Sequence, residues 1–129
     1  MPKKILVVED DIDMVELLRF NLKMEGYALG TAADGIEALK KARSIRPDLI
    51  LLDLMLPELD GFAVCDILRR DPKTASIPII ILTALSSQFS QLNGLDAGAN
   101  LYLTKPFSPK YLLQCIQELL QWVPGTAHQ

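Results

Sequence analysis

The sequence predicts an α/β fold: a doubly wound, five-stranded parallel sheet with helices on both faces. Three observations carry that prediction. Apolar runs too short for helices, above all Leu49–Leu52 and the Lys4–Val8 segment, read as strands buried on both faces, which is typical of parallel sheets. Segments with apolar residues at helical spacing lie between such runs, so strand and helix alternate five times along the chain. Acids follow two of the strands directly, Glu9, Asp10 and Asp11 after the first and Asp53 after the third. In open α/β sheets, ligands bind beyond the carboxyl ends of the strands.

Lys4 to Val8 is the first strand, and Val15, Leu18 and Leu22 then recur at helical spacing from Ile12 to Met24, with Gly26 as the stop signal. Tyr27 to Ala32 is a weaker strand pattern, as expected at a sheet edge. Asp34 is the expected N-cap of a helix running to about Ser44, with Ile36, Leu39 and Ala42 facing inward. Pro47 bounds the third strand. Asp60 then caps a helix from Gly61 to Arg70. Ile77 to Leu82 is the fourth strand, with Pro78 read at its first position, where a missing N–H donor does little harm. A helix from about Ser87 to Ala97 stops at Gly98, and Leu101 to Thr104 is the fifth strand. Ser108 and Pro109 are an N-cap and first-turn pair opening a last helix to about Val123. The expected domain spans residues 1–123, with Pro124 to Gln129 a flexible tail or the start of a linker.

The 129 residues suffice for one domain with a real core, and half of them are apolar. A formal charge of −3 gives no electrostatic reason to expect nucleic-acid binding by this chain. Cys65 and Cys115 have no CxxC pattern and no nearby histidine, and are read as buried free thiols in a reducing compartment. No apolar run approaches a membrane span, and the first residues do not resemble a signal peptide, so the expected location is cytoplasmic. Charge is unevenly spread. Of 13 Lys+Arg and 16 Asp+Glu, only Asp96, Lys105, Lys110 and Glu118 lie beyond Thr83.

If the sheet is parallel, the ends of strands one, three, four and five face the same side. Glu9 and Asp10, then Asp53, then Thr83 and Ala84, then Lys105 would gather there. Asp53 alone could do no more than cap the following turn. Three converging carboxylates, however, repel one another unless a cation sits among them, and an all-oxygen site suits magnesium better than zinc. A lysine and a hydroxyl opposite the acids make good partners for an anion arriving with the metal, and phosphate is the obvious one. Asp53 is then placed as a nucleophile able to accept a phosphoryl group.

At these residues the chain resembles the receiver domains of bacterial two-component response regulators, the CheY-like fold. The matching motifs are Val-Val-Glu-Asp-Asp (7–11), Leu-Leu-Asp-Leu-Met-Leu-Pro (51–57) with Asp60-Gly61, Leu-Thr-Ala (82–84), and Gly98-Ala99 leading to Tyr102 through Phe107. The resemblance implies a strand order of 2-1-3-4-5. It implies that Asp53 is phosphorylated from the phosphohistidine of a sensor histidine kinase or a phosphotransfer protein. Glu9, Asp10, Asp53 and the backbone carbonyl of Met55 would hold Mg2+. Lys105 and the Ala84 amide would contact the phosphoryl oxygens, and the Lys105–Pro106 bond would be cis. The implied switch is Thr83 moving toward the phosphoryl group while Tyr102 turns inward, altering the surface of the fourth helix, fifth strand and fifth helix that controls a downstream protein or output domain. A phosphoryl group brings nearly two negative charges and three acceptors, enough to reorder a nearby hydroxyl and its loop. Without that role, Thr83 is an ordinary helix N-cap and Tyr102 a half-buried strand aromatic.

Two departures stand out. The positions that tune dephosphorylation in receivers are here the apolar Met55 and Leu85, which predicts a long-lived phosphorylated state. The ion-pair dimer of receivers resembling OmpR and PhoB also lacks its charges, because that face carries Gln88, Gln91, Asn100, Leu101, Tyr111, Gln114 and Cys115. Phe89, Leu92, Leu101, Tyr111 and Trp122 either build an apolar partner surface, a possible homodimer contact, or face the core. A phosphatase of the haloacid-dehalogenase type needs a second aspartate two residues after the nucleophile, where this chain has Met55. A receiver-like domain that works without phosphorylation usually lacks an acid, the lysine or the nucleophile, and none is missing. A flavodoxin-like cofactor protein would not put three acids in its phosphate loop. The expected role is therefore a regulatory phosphoacceptor rather than an enzyme with a released product, and His128 takes no part in it.

Overall fold

The structure, a computed structural model, describes residues 2–121. Ten elements alternate without exception: β1 (Lys4–Val8), α1 (Ile12–Met24), β2 (Ala28–Ala32), α2 (Gly35–Ile45), β3 (Leu49–Leu52), α3 (Gly61–Arg70), β4 (Ile79–Thr83), α4 (Gln88–Asp96), β5 (Leu101–Thr104) and α5 (Pro109–Gln121). All strand pairings are parallel, in the order β2-β1-β3-β4-β5. This is the doubly wound topology, with β3 at its centre and β2, as expected, at an edge.

Strand periodicity divides the core in two. Leu6, Val8, Ile50, Leu52, Ile79 and Ile81 face one side, against Ala38 and Ala42 of α2 and Val64, Cys65 and Leu68 of α3. Ile5, Val7, Leu49, Leu51, Ile80 and Leu82 face the other, against Leu18 and Leu22 of α1 and Leu112, Cys115 and Ile116 of α5. Two-sided burial explains why these strands read as unbroken apolar runs. Each fully buried Leu or Ile contributes about 1.5–3 kcal/mol, so the central strands anchor everything at their ends.

The helix starts follow from their caps. Asp34, Asp60 and Ser87 accept from the backbone N–H groups of Glu37, Ala63 and Ser90 respectively. Ser108 accepts from Tyr111 at 3.2 Å. Asp11 does the same for α1, accepting from Asp13 and Met14.

Several expectations need correction. β4 begins at Ile79 rather than Ile77, because its ladder with β3 starts at the Ile50–Ile79 pair, while on the β5 side Ile79 donates to the Asn100 side chain at 2.8 Å. Pro78 therefore precedes the strand, and Thr83 is its last residue rather than a helix N-cap. Ile36 is 46% exposed, since Ala38 and Ala42 fill the inner face of α2. Cys115 is buried and does not belong to the surface of α5. The last helix was expected to reach Val123, but Trp122, Val123, the tail at 124–129 and His128 lie outside the described residues. No described helix is long and apolar enough to cross a membrane.

Candidate functional site

Glu9, Asp53 and Lys105 each sit immediately beyond a parallel strand, Thr83 is the last residue of one, and the ladder holds them there. The Glu9 N–H donates to the Ala32 carbonyl at 2.9 Å, that of Asp53 to Val8 at 3.0 Å, and that of Lys105 to Thr83 at 2.8 Å. Gly61 opens α3 directly against this point. A Cβ there would lie 2.5 Å from the Asp53 carbonyl oxygen and 2.6 Å from Leu54 Cα, so only glycine lets the helix approach so closely.

The carboxylates of Glu9, Asp10 and Asp53 converge, with one oxygen of each lying within 4.8 Å of the others. Glu9 and Asp53 are buried, and Asp10 faces outward. Lys105 Nζ bridges the buried pair at 2.6 Å to Glu9 Oε1 and 3.1 Å to Asp53 Oδ2. Asp53 Oδ1 accepts from the Met55 N–H at 3.1 Å, and Glu9 Oε2 from Asp11 at 3.2 Å. Every carboxylate oxygen of the buried pair is thus held.

One ammonium does not balance three carboxylates. Burial pushes the Glu9 carboxyl up, and the Asp53 charge adds to this, although the Lys105 and Asp11 contacts pull the other way. Burial alone would depress Lys105, but its bonds to Glu9 and Asp53 prevail and hold its ammonium above the usual range. The remaining negative charge, on hard oxygen donors, suits a small dication such as magnesium, which keeps several waters and takes few protein ligands. The donor set fits.

Thr83 is fully buried, and its hydroxyl accepts only a long 3.5 Å bond from Leu85 among the described residues. Ala84 follows it at an exposed position. Tyr102 packs against the core beside Ile81, and its hydroxyl donates to the Leu85 carbonyl at 2.6 Å. Burial, with the Asp53 charge in support, pushes this phenol up. The Lys105–Pro106 peptide is cis, as expected. Leu85 is half-buried and packed against the core, whereas the Met55 side chain is exposed. A cleft of about 300 Å³ opens beside Glu9 and Asp10, between the start of α1 and the start of α2.

On the face built by α4, β5 and α5, Phe89, Leu92 and Tyr111 are exposed, while Leu101 is half-buried against the core. An unforeseen staple joins the opposite end of the sheet. Arg69 of α3 donates to the carbonyls of Gly98, Ala75 and Ile77 and to Asn100 Oδ1, so Asn100, though exposed, ties α3 to the start of β5. These contacts span up to 31 positions, and no local sequence signal carries them. The capping role of Asp11 was not foreseen either, although its place directly before the first helix is the signal that carries it.

The family model for the response regulator receiver domain matches residues 5–117. The alkaline phosphatase synthesis transcriptional regulatory protein PhoP of Bacillus subtilis is 49% identical over 121 residues, covering 94% of this chain and 50% of that protein. The chain spans about half the length of the curated relatives it matches. A CheY-like response regulator receiver domain protein from Methanospirillum hungatei superposes with a TM-score of 0.87 at 31% identity, covering 93% of this chain and 94% of that one. The receiver domain of a sensor histidine kinase from Pseudomonas aeruginosa, solved with magnesium coordinated in its active-site cleft, superposes with a TM-score of 0.88 at 36% identity, covering 95% and 100%. With its sheet order, its acid cluster and its bridging lysine, this chain belongs to the receiver domain family of two-component response regulators.

Proposed function

We propose that the chain is a signalling switch in which Asp53 accepts a phosphoryl group from the phosphohistidine of a sensor histidine kinase or phosphotransfer protein. The observation that carries this reading is the buried Asp53 carboxylate, held in place by Lys105 and the Met55 N–H beside the acids Glu9 and Asp10. An oxygen of Asp53 attacks the phosphorus, the P–N bond to the donor imidazole breaks, and the imidazole leaves with the bonding pair and takes up a proton. Glu9, Asp10, Asp53 and the Met55 carbonyl are the residues that would hold magnesium. When bound, the ion neutralises the acids and draws charge from the phosphoryl oxygens. Lys105, drawn off its acids, then pairs with a phosphoryl oxygen, and the Ala84 N–H donates to another.

The weakly held Thr83 hydroxyl is the group best able to move toward the new anion. Its shift draws on the turn whose Leu85 carbonyl Tyr102 already holds. That links the site to the uncharged face of α4, β5 and α5, where a downstream protein or output domain docks. Exposed Phe89, Leu92 and Tyr111 suit an apolar contact there, a second copy of the chain included. The domain takes residues 1–123, and relatives about twice this chain's length are named as transcriptional regulators, which supports an output domain as partner. Neither Met55 nor Leu85 offers a polar side-chain atom to orient a hydrolytic water, so the phosphorylated state persists. The switch works in the cytoplasm, where its kinase partner presents phosphohistidine.

Intact-mass spectrometry after incubation with acetyl phosphate tests the reading. One magnesium-dependent phosphoryl adduct that decays slowly and is lost in Asp53→Asn is expected. No adduct with magnesium present would overturn it.

A further inference from the structure

α4 carries a glycine in its interior, Gly94, which is buried. An interior glycine weakens a helix, so its presence calls for a reason of close packing. A Cβ at Gly94 would stand 2.8 Å from Tyr102 Cδ2, 3.0 Å from Tyr102 Cε2 and 2.8 Å from Ile81 Cδ1. Carbon atoms in good contact keep about 3.5–4.0 Å, so something would have to give. Ile81 is wholly buried in the central sheet, so a shift of its Cδ1 would disturb the packed core around it. Tyr102 lies on β5, an edge strand, and is only half-buried, so its ring is the part that yields. Its one way out is away from α4. That movement withdraws its hydroxyl from the Leu85 carbonyl, two residues past Thr83.

We infer that Gly94 is a positioning residue for the switch: the missing side chain is the space that lets Tyr102 sit inward and hold the turn between β4 and α4. The inference rests on the reading of Tyr102 and Thr83 as the switch, but the placement of the ring can be tested without it. The ring and α4 share one space, so an inward ring and a closely seated α4 require each other. The state of the site and the position of the output face are thereby coupled through one side-chain contact.

The test is Gly94→Ala in the full chain, followed by NMR of ring-labelled tyrosine and by phosphoryl uptake at Asp53. The expected result is a shift of the Tyr102 ring signal toward that of free tyrosine, in both unphosphorylated and phosphorylated protein. A role in helix stability alone would raise the unfolding midpoint and leave the ring signal where it was, and that outcome overturns the inference. If Gly94→Ala does not fold, recovery of folding on adding Tyr102→Ala supports the inference and failure to recover overturns it. Absence of phosphoryl uptake in the parent chain would refute the Asp53 reading, while the ring signal would still decide the role of Gly94.

Discussion

Replacing Lys105 with Met removes the cation that bridges Glu9 and Asp53 and leaves two buried carboxylates side by side. Breaking a buried pair by removing one partner costs about 3–5 kcal/mol when the remaining charge has no escape. Here the escape is protonation. Glu9 is already pushed up by burial, and losing Lys105 pushes it further. Holding a glutamate neutral at pH 7 costs about 3–4 kcal/mol, because it would otherwise titrate near ~4.3 and each pH unit is worth about 1.4 kcal/mol. The two routes are of similar size, and the outward-facing Asp10 leaves the site partly hydrated. A loss of about 2–4 kcal/mol at pH 7 in EDTA follows.

The pH dependence has a definite sign. A carboxyl whose folded pKa lies above its unfolded value contributes stability that is whole below the ordinary carboxylate range and declines as pH rises toward the folded value. The deficit of Lys105→Met therefore shrinks on acidification from pH 7 toward 5, by at most about 1.4 kcal/mol per unit. Magnesium should stabilise the variant more than the parent, since no ammonium competes for the acids. Urea unfolding at pH 7 and 5.5, in EDTA and in excess magnesium, measures all three effects. A deficit below about 0.5 kcal/mol in EDTA, the size of an ordinary surface change, would refute the reasoning. So would equal stabilisation of both proteins by magnesium.

Gly61→Ala places a methyl against the Asp53 carbonyl oxygen, and should cost about 1–3 kcal/mol in urea and slow phosphoryl uptake; a neutral result would mean that α3 slides away freely. Arg46 closes α2 in the left-handed region at φ 47°, exposed and outside any ion pair among the described residues, so Arg46→Gly should gain about 0.5–1 kcal/mol in thermal unfolding. Burial pushes the Cys65 thiol up, and Cys115 is also buried. Neither should react with a disulfide reagent in the native protein at pH 8, while both should react in urea, and rapid native labelling would contradict the core assignment.

What sequence could and could not convey follows from the range of the forces involved. The strands were legible because two-sided burial leaves unbroken apolar runs, and the site was legible because parallel strands deliver their end residues to one edge. Asp34 and Asp60 were readable as caps because capping is a contact of three residues' reach. The start of β4 was not, because it depends on where β3 pairs, at Ile50, and on Asn100 reaching back 21 positions to Ile79. Ile36 was misplaced because Ala38 and Ala42, though small, are the residues that bring α2 close to the sheet. Cys115 is the buried free thiol its composition suggested, and only its placement on the outer face of α5, by analogy of position, fails, because the register of α5 turns it into the core beside Leu112 and Ile116.

The most direct test of the central claim is to reduce the phosphorylated protein with borohydride and map its peptides by mass spectrometry. An aspartyl phosphate is reduced to homoserine, so the account predicts a magnesium-dependent mass change confined to residue 53. Modification at Asp10, at another carboxylate, or at none would contradict it.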